Sequence, residues 1–366
     1  MKTIIRSHSA ARRATVLLGT LLVLVAAGVA AQPASARTAI AIQDDTVFLN
    51  GGFKTYSLTK GYSQAKTLGV TWVRFNILWG DYKAACKFFG NKNCFSPWDT
   101  AVNNALRNGV RPQITIAGTP QYEPHGDKWL GYNRPKASRF RTFVTLVAKH
   151  FKGRVFRYSL WDEPNLPRWI TPHNKAPGIY RALVLAGYSA IKAVDRRAAV
   201  LIGEFTSAND PITFMQQMGR GIKADGVAYH PFEFFNAPGS RIIRSRPRRI
   251  SFIGINSTPW IQSTLRQLAR QHRLRSTGGG TLPLYYTEFG YQSAGRYRIP
   301  ESKRKIWALK AMQLVARFKV REMLWYQLVH NRSFGDVWDS GLVSNHGVTD
   351  ATYRNLQRHR RSYAGF

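Results

Sequence analysis

Carboxylates are scarce in this chain. Its 366 residues hold 19 Asp and Glu against 54 Lys and Arg, a formal net charge of +35. A field of that sign attracts polyanions and speeds their encounter. It offers no sequence reading of nucleic acid, because no recognisable reading motif accompanies it, so no nucleic-acid partner is expected. Cysteine is almost absent. Cys86 and Cys94 are the two in the chain, and both fall in one polar stretch. Two cysteines without nearby histidines make no metal-ligand set, so no metal is expected. In an exported protein such a pair is expected to close a small disulfide loop; two free thiols are the alternative. Phosphate-cradling loops, His-Glu-x-x-His, Gly-x-Ser-x-Gly and a dinucleotide fingerprint are all missing, which removes the chemistries those motifs carry. Linker-like sequence is missing too. The longest flexible-looking piece, Ser276-Thr277-Gly278-Gly279-Gly280-Thr281, is only of loop length.

One long apolar run is present, Val16 to Ala31, and it is too short for a comfortable membrane span. Lys2, Arg6, Arg12 and Arg13 precede it, and Ala34-Ser35-Ala36 follows as a small-residue cleavage site. Residues 1–36 therefore read as a secretory signal peptide, and Arg12-Arg13 is compatible with twin-arginine export. The protein is expected outside the cell or at the wall, as a monomer. The mature chain, 37–366, would keep a charge of +31 after losing the leader's four basic residues. Its length suits one large α/β domain.

Along that domain helical and strand patterns alternate. Helices are expected over 62–69, 98–108, 137–151, 179–194, 214–218, 258–275, 302–318 and 351–361. Strands are expected at 70–75, 111–116, 155–161, 199–203, 226–229, 282–287 and 321–326, with a first strand near Thr46 to Leu49. Strands alternating with helices imply a parallel sheet. Eight such units in about 320 residues imply a closed (β/α)8 TIM barrel, an α/β fold whose chemistry sits at the C-terminal ends of the strands.

Residues 158–165, Tyr-Ser-Leu-Trp-Asp-Glu-Pro-Asn, end an apolar, β-prone run in two adjacent carboxylates and a proline. This is a strand delivering an acid to its own edge. A second delivery comes 125 residues later, where Leu282-Pro283-Leu284-Tyr285-Tyr286-Thr287 runs into Glu288-Phe289-Gly290. Glycoside hydrolysis needs two such carboxyls, an acid and a nucleophile or base across the scissile bond. Arg74, Asp162, Glu163, Glu204, His230, Glu288 and Trp325 all fall at or just after the ends of apolar runs.

Over nearly the whole mature chain these motifs resemble glycoside hydrolase clan A, the retaining (β/α)8 enzymes, nearest to families 5 and 39 and cellulase-like. The resemblance implies that Glu163, in Asp162-Glu163-Pro164, is the acid/base, and that Glu288, in Thr287-Glu288-Phe289-Gly290, is the nucleophile. It implies that Arg74 supports the nucleophile, that Tyr229 and His230 line the site from strand six, and that Trp325 is a sugar platform on strand eight. Gly118-Thr119-Pro120-Gln121-Tyr122 resembles the segment after strand three. Glu288 must stay ionised, which a nearby Arg74 cation favours. Glu163 must first be protonated, so its pKa must be raised, as a close like charge would do. No cofactor is needed.

One position departs from the clan. Its asparagine is replaced by Asp162, and an ionised aspartate accepts hydrogen bonds without donating any. An altered sugar preference, a shifted pH optimum or reduced activity could follow. Glu204 adds another carboxylate, either binding sugar hydroxyls or pairing with an arginine. Arg241, Arg244, Arg246, Arg248 and Arg249 follow strand six and would rim the site's mouth, favouring an anionic glycan or an anionic wall. Arg354, Arg358, Arg360 and Arg361 fall on the last helix, away from the mouth. The segments Asp81 to Trp98 and Gln121 to Pro135, with Phe88, Phe89, Tyr122, Trp129 and Tyr132, would wall a groove or close a pocket. The reading from sequence is a secreted retaining glycosidase acting on a carbohydrate. The alternative is a non-catalytic wall- or glycan-binding protein on the same scaffold, with Asp162 marking lost activity.

Overall fold

The computed structural model describes residues 38–120, 135–240, 243–246, 249–330 and 338–364. Eight strands close a barrel: β1 Ala39–Gln43, β2 Val70–Leu78, β3 Arg111–Ala117, β4 Arg157–Leu160, β5 Ala199–Thr206, β6 Gly226–His230, β7 Leu284–Tyr286 and β8 Glu322–Tyr326. Each strand is parallel to the next, and β8 pairs with β1 to complete the ring. This is the expected (β/α)8 TIM barrel.

Side chains alternate along each strand, and the alternation sorts them here. Ala41, Trp72 and Leu324 pack together inside the barrel. Ile40, Ile42, Val73, Tyr229 and Trp325 turn outward into the layer between strands and helices. The helices bury matching stripes. Helix α1 (Ala137–Phe151) buries Phe140, Phe143, Val144, Val147, Ala148 and Phe151, the i, i+3, i+4, i+7 spacing of an amphipathic helix. Its bounds are those expected from sequence.

Three elements differ from expectation. The first strand is Ala39–Gln43, and Asp45–Leu49 is a π-helical turn whose N-terminal amide, that of Val47, is capped by Asp44. Trp79–Phe89, which overlaps the segment Asp81 to Trp98 expected to wall a groove or close a pocket, is a helix. Cys86 near its end is disulfide-bonded to Cys94. The helix expected over 258–275 stops at Arg270. His272 adopts φ 55°, and Leu274–Arg275 pairs with Ile222–Lys223 as a short parallel ribbon. A hairpin, Ile243–Arg246 with Arg249–Phe252, follows β6. Among the described residues no helix is long and apolar enough to cross a membrane.

Candidate active site

At the C-terminal ends of the strands lies a cavity of about 600 Å³, within the usual range of small-ligand pockets. Asp162, Glu163 and Glu288 line it, with Gln43, Asp45, Asn76 and Arg168. Aromatic rings of Trp169, Phe232, Phe234, Tyr326 and Trp338 complete much of the wall.

Local backbone geometry aims the acids. Trp161, Glu163 and Glu204 have φ of 71°, 34° and 49°, a region costly for residues with a Cβ and concentrated at functional sites. Glu204 sits where the β5–β6 register shifts, between Gly203 and Phe205. Such a bulge re-aims a side chain. Gly203 has φ 106°, and a Cβ there would come within 2.6 Å of the Ala228 carbonyl oxygen. Asn165 then locks the turn: its amide donates to the carbonyls of Thr206 and Ala208 and its oxygen accepts from the Thr206 amide.

Arg74 is the hub. It is 1 % exposed. Its Nη1 donates to Glu288 Oε1 at 2.5 Å and also to Gln43 Oε1. Its Nη2 donates to Glu204 Oε2 and lies 3.4 Å from Asp162 Oδ1. Its Nε donates to the Thr115 hydroxyl, which donates to Glu204 Oε1 at 2.8 Å. Of the two readings open for Glu204, the ion pair with an arginine is the one present, and Glu204 does not line the cavity.

His230 bridges the two glutamates. Its Nδ1 is 3.2 Å from Glu163 Oε1 and 3.6 Å from Glu288 Oε2, and its Nε2 is 3.6 Å from Glu204 Oε2. Burial pushes the imidazole toward neutrality, but the charge of Glu288, the hydrogen bond to Glu163 and the nearby Glu204 carboxylate hold its pKa well above the ordinary value. The surrounding carboxylates thus favour the imidazolium. Glu163 also accepts from Arg168 Nη2 at 3.1 Å. Burial pushes the Glu163 carboxyl up, yet His230 and Arg168 together outweigh it and hold it below the usual range. The raised Glu163 expected from sequence is absent here, because two cations face it. Asp162 goes the other way. Burial and the charge of Glu288 raise it well above an ordinary aspartate. Asp45, too, is raised to about 6, chiefly by burial.

The upward shift expected for Glu163 is thus found at Asp162 instead. A protonated Asp162 has an O–H to donate, which is the role the clan gives asparagine. At higher pH it ionises, loses that donor and adds charge beside Glu163 and Glu288. Asparagine donates at every pH. Asp162→Asn should therefore move the alkaline limb of the pH–rate profile upward by roughly one unit or more. An unmoved limb in kcat/KM measured from pH 4 to 10 would refute a proton on Asp162.

Two residues expected in the site are not there. Tyr229 and His230 are neighbours on β6 and face opposite ways. His230 faces the interior, and Tyr229 packs outward on Tyr286 and donates its hydroxyl to the Ile253 carbonyl. Trp325 and Tyr326 divide in the same way on β8. Trp325 is buried against Phe289, with its indole N–H given to the Ser340 carbonyl. Tyr326 is the ring that reaches the cavity. Phe88 is 82 % exposed, and neither it nor Phe89 lines the cavity. Tyr122, Trp129 and Tyr132, Arg241 and Arg248, and the leader 1–36 lie outside the described residues, as do the side chains of Arg244, Arg246 and Arg249. Arg360 on the terminal turn reaches the Thr67 carbonyl just ahead of β2, at the end of the barrel opposite the mouth. Asp45, Gln43, Asn165, Arg168 and Tyr326 are the site residues sequence reading missed.

Asp162, His230 and Glu288 each offer one ligand-type atom within 4.8 Å of the others. Two of the three, Asp162 and Glu288, already face the Arg74 guanidinium.

No protein-family model matches the chain, and no curated protein is similar to it in sequence. Solved structures share its fold. A family 39 glycoside hydrolase from Bacteroides cellulosilyticus superposes with a TM-score of 0.63 at 15% identity, over 89% of this chain and 64% of that one. A family 39 β-xylosidase from Caulobacter crescentus gives 0.61 at 17%, over 87% and 70%. A family 1 β-glucosidase from Thermotoga maritima gives 0.56 at 12%, over 91% and 99%. This chain thus spans a little under two thirds of the first of these proteins. What these structures share with this chain is the (β/α)8 barrel.

Proposed function

We propose that the protein is a retaining glycoside hydrolase, exported by its N-terminal leader, that cleaves an O-glycosidic bond of a poly- or oligosaccharide. The observation that carries this is the placing of Glu163 and Glu288. One oxygen of each lies within 3.6 Å of the same His230 nitrogen, at the mouth of a pocket walled by aromatic rings. That closeness is compatible with the roughly 5–5.5 Å of a retaining pair.

In this reading Glu288 attacks the anomeric carbon. The bond to the leaving oxygen breaks as Glu163 gives that oxygen a proton. The glycosyl–Glu288 ester is then hydrolysed by a water that Glu163 deprotonates. Arg74 orients Glu288 through the hydrogen bond from Nη1 to Oε1. The Glu163–Arg168 ion pair favours a second reading, a glycan-binding protein on the same scaffold, because an acid held as its anion has no proton to give.

Reducing-sugar release by the mature chain from β-glucans, xylans, mannans, arabinans and uronate-rich polymers tests the hydrolase. We expect release from at least one of them, with the first product, seen by NMR, keeping the anomeric configuration of its substrate. Binding with no release from any polymer would support the second reading.

A further inference from the structure

The cavity holds one basic side chain among its described lining residues, Arg168, against Asp45, Asp162, Glu163 and Glu288. Arg168 is in the wrong place for a glycosidase acting on neutral sugar. Its Nη2 sits 3.1 Å from Glu163 Oε2, on the carboxyl that must carry a proton before the leaving group can depart. Other groups facing Glu163 are His230, at 3.2 Å, and the neighbouring Asp162 carboxyl. His230 is fully buried and wedged among three carboxylates, so it has nowhere to go. The Arg168 side chain is 48 % exposed at the cavity wall. The Glu163 carboxyl is 9 % exposed, so the guanidinium leaves it only as the carboxylate takes up a proton.

A second observation points the same way. Ala208 lines the cavity and pairs with Phe252 of the hairpin that follows β6, while the Ile253 amide donates to the Ser207 carbonyl. The backbone of that hairpin is thus fastened to the rim of the cavity, and it carries Arg244, Arg246 and Arg249 in its two strands. Beyond the rim the whole chain is strongly basic.

We propose that the substrate is a glycan bearing anionic groups, and that Arg168 binds one of those groups by leaving Glu163, so that the acid takes up its proton only when an anionic sugar is in place. This rests on the hydrolase reading above and adds to it a substrate class and a residue that recognises it. The guanidinium fork suits carboxylate and sulfate alike. When it turns to the sugar, Glu163 loses one of the two cations that hold it ionised and accepts a proton from solvent through the open cavity. Glycosidic cleavage then consumes that proton at the leaving oxygen. A neutral sugar leaves the ion pair closed.

The test compares acidic polysaccharides, each beside its carboxyl-reduced form, and a sulfated glycan beside its desulfated form, with the wild type and Arg168→Gln. The wild type should release sugar from the charged member of a pair about tenfold faster or more, the loss expected when a hydrogen bond to a charged group is removed. Whether the carboxylate or the sulfate pair shows the preference names the anion. Arg168→Gln should lose the preference and gain on the neutral member, since Glu163 is then released from its clamp. A preference that survives in Arg168→Gln, vanishing only in high salt, would assign it to the general basic field and overturn the proposal. So would a wild type that treats both members equally. Calorimetry with the Glu288→Gln variant separates this from failure of the hydrolase reading. Acidic oligosaccharides should bind it about tenfold more tightly than they bind Glu288→Gln with Arg168→Gln. If no polymer is cleaved but that difference appears, recognition by Arg168 stands and hydrolysis falls; equal binding would overturn the proposal.

Discussion

Glu288→Gln should abolish turnover while leaving the fold and glycan binding in place. The amide keeps the shape of the carboxyl and can still accept from Arg74 Nη1, which lies 2.5 Å from Glu288 Oε1. It cannot form the ester. Removing the nucleophile from a set of residues that act as a unit costs on the order of 10⁴–10⁶-fold in kcat. Glu163→Gln should cost less on substrates whose leaving group needs no proton, because the acid's share is about 10²–10⁴-fold. The double variant should be little worse than Glu288→Gln alone, since Glu163 has no reaction to assist once the nucleophile is gone. The assay is kcat/KM on the best polymer together with a circular dichroism spectrum. A Glu288→Gln protein that is folded and retains more than about a hundredth of the parent's rate would remove Glu288 from the nucleophile's role.

The parts of the site legible in the sequence are those marked by a change of residue type at a strand's end. Glu163 and Glu288 follow apolar runs directly, and Arg74 interrupts one, so the three could be placed on a common rim before any coordinates. The parity of each strand was less legible. His230 and Tyr229, or Tyr326 and Trp325, are equally plausible inward residues when each strand is only five residues long and both faces are buried. What decides it is the barrel interior, which Trp72 fills beside Ala41 and Leu324. Tyr326 follows Leu324 inward by the two-residue period, and Trp325 is left outside.

The same interior explains the misplaced first strand. Ala39 and Ala41 are the β1 residues that pack with Trp72, so β1 reads as a weak strand. The more apolar 46–49 is a turn around the Asp44 cap. Asp45 was hidden by that error, since it stands two residues past the true strand end. Electrostatics was the least legible. The sequence puts Asp162 beside Glu163 but does not say which carboxyl meets the cations. Arg168, five residues beyond Glu163, is brought onto it only by the turn that Asn165 locks.

Arg74→Met should be the most destabilising single change in the site. The guanidinium is buried and contacts Gln43, Thr115, Asp162, Glu204 and Glu288. Breaking a buried ion pair from one side leaves an uncompensated charge and costs about 3–5 kcal/mol. For a protein of this size that corresponds to a fall in Tm of roughly 5–15 °C. The loss should depend on pH, and its sign follows from Glu204. Burial pushes that carboxyl up, but Arg74 and His230 bring it down to about 2 in the folded protein, below its ordinary 4.5. A carboxyl depressed in this way contributes stability that is fully present above its unfolded pKa and is lost as pH falls through the folded one. The difference in Tm between the parent and Arg74→Met should accordingly be largest above about pH 4.5 and shrink toward pH 2, as Glu204 becomes neutral in both. Arg74→Met combined with Glu204→Met should recover much of the stability at neutral pH, because two apolar side chains can replace a buried pair at little cost. It should not recover activity, since Glu288 still lacks its guanidinium. A gap in Tm that stays constant from pH 7 to pH 2 would mean that Arg74 holds the barrel by packing, and that its charge is irrelevant to the fold.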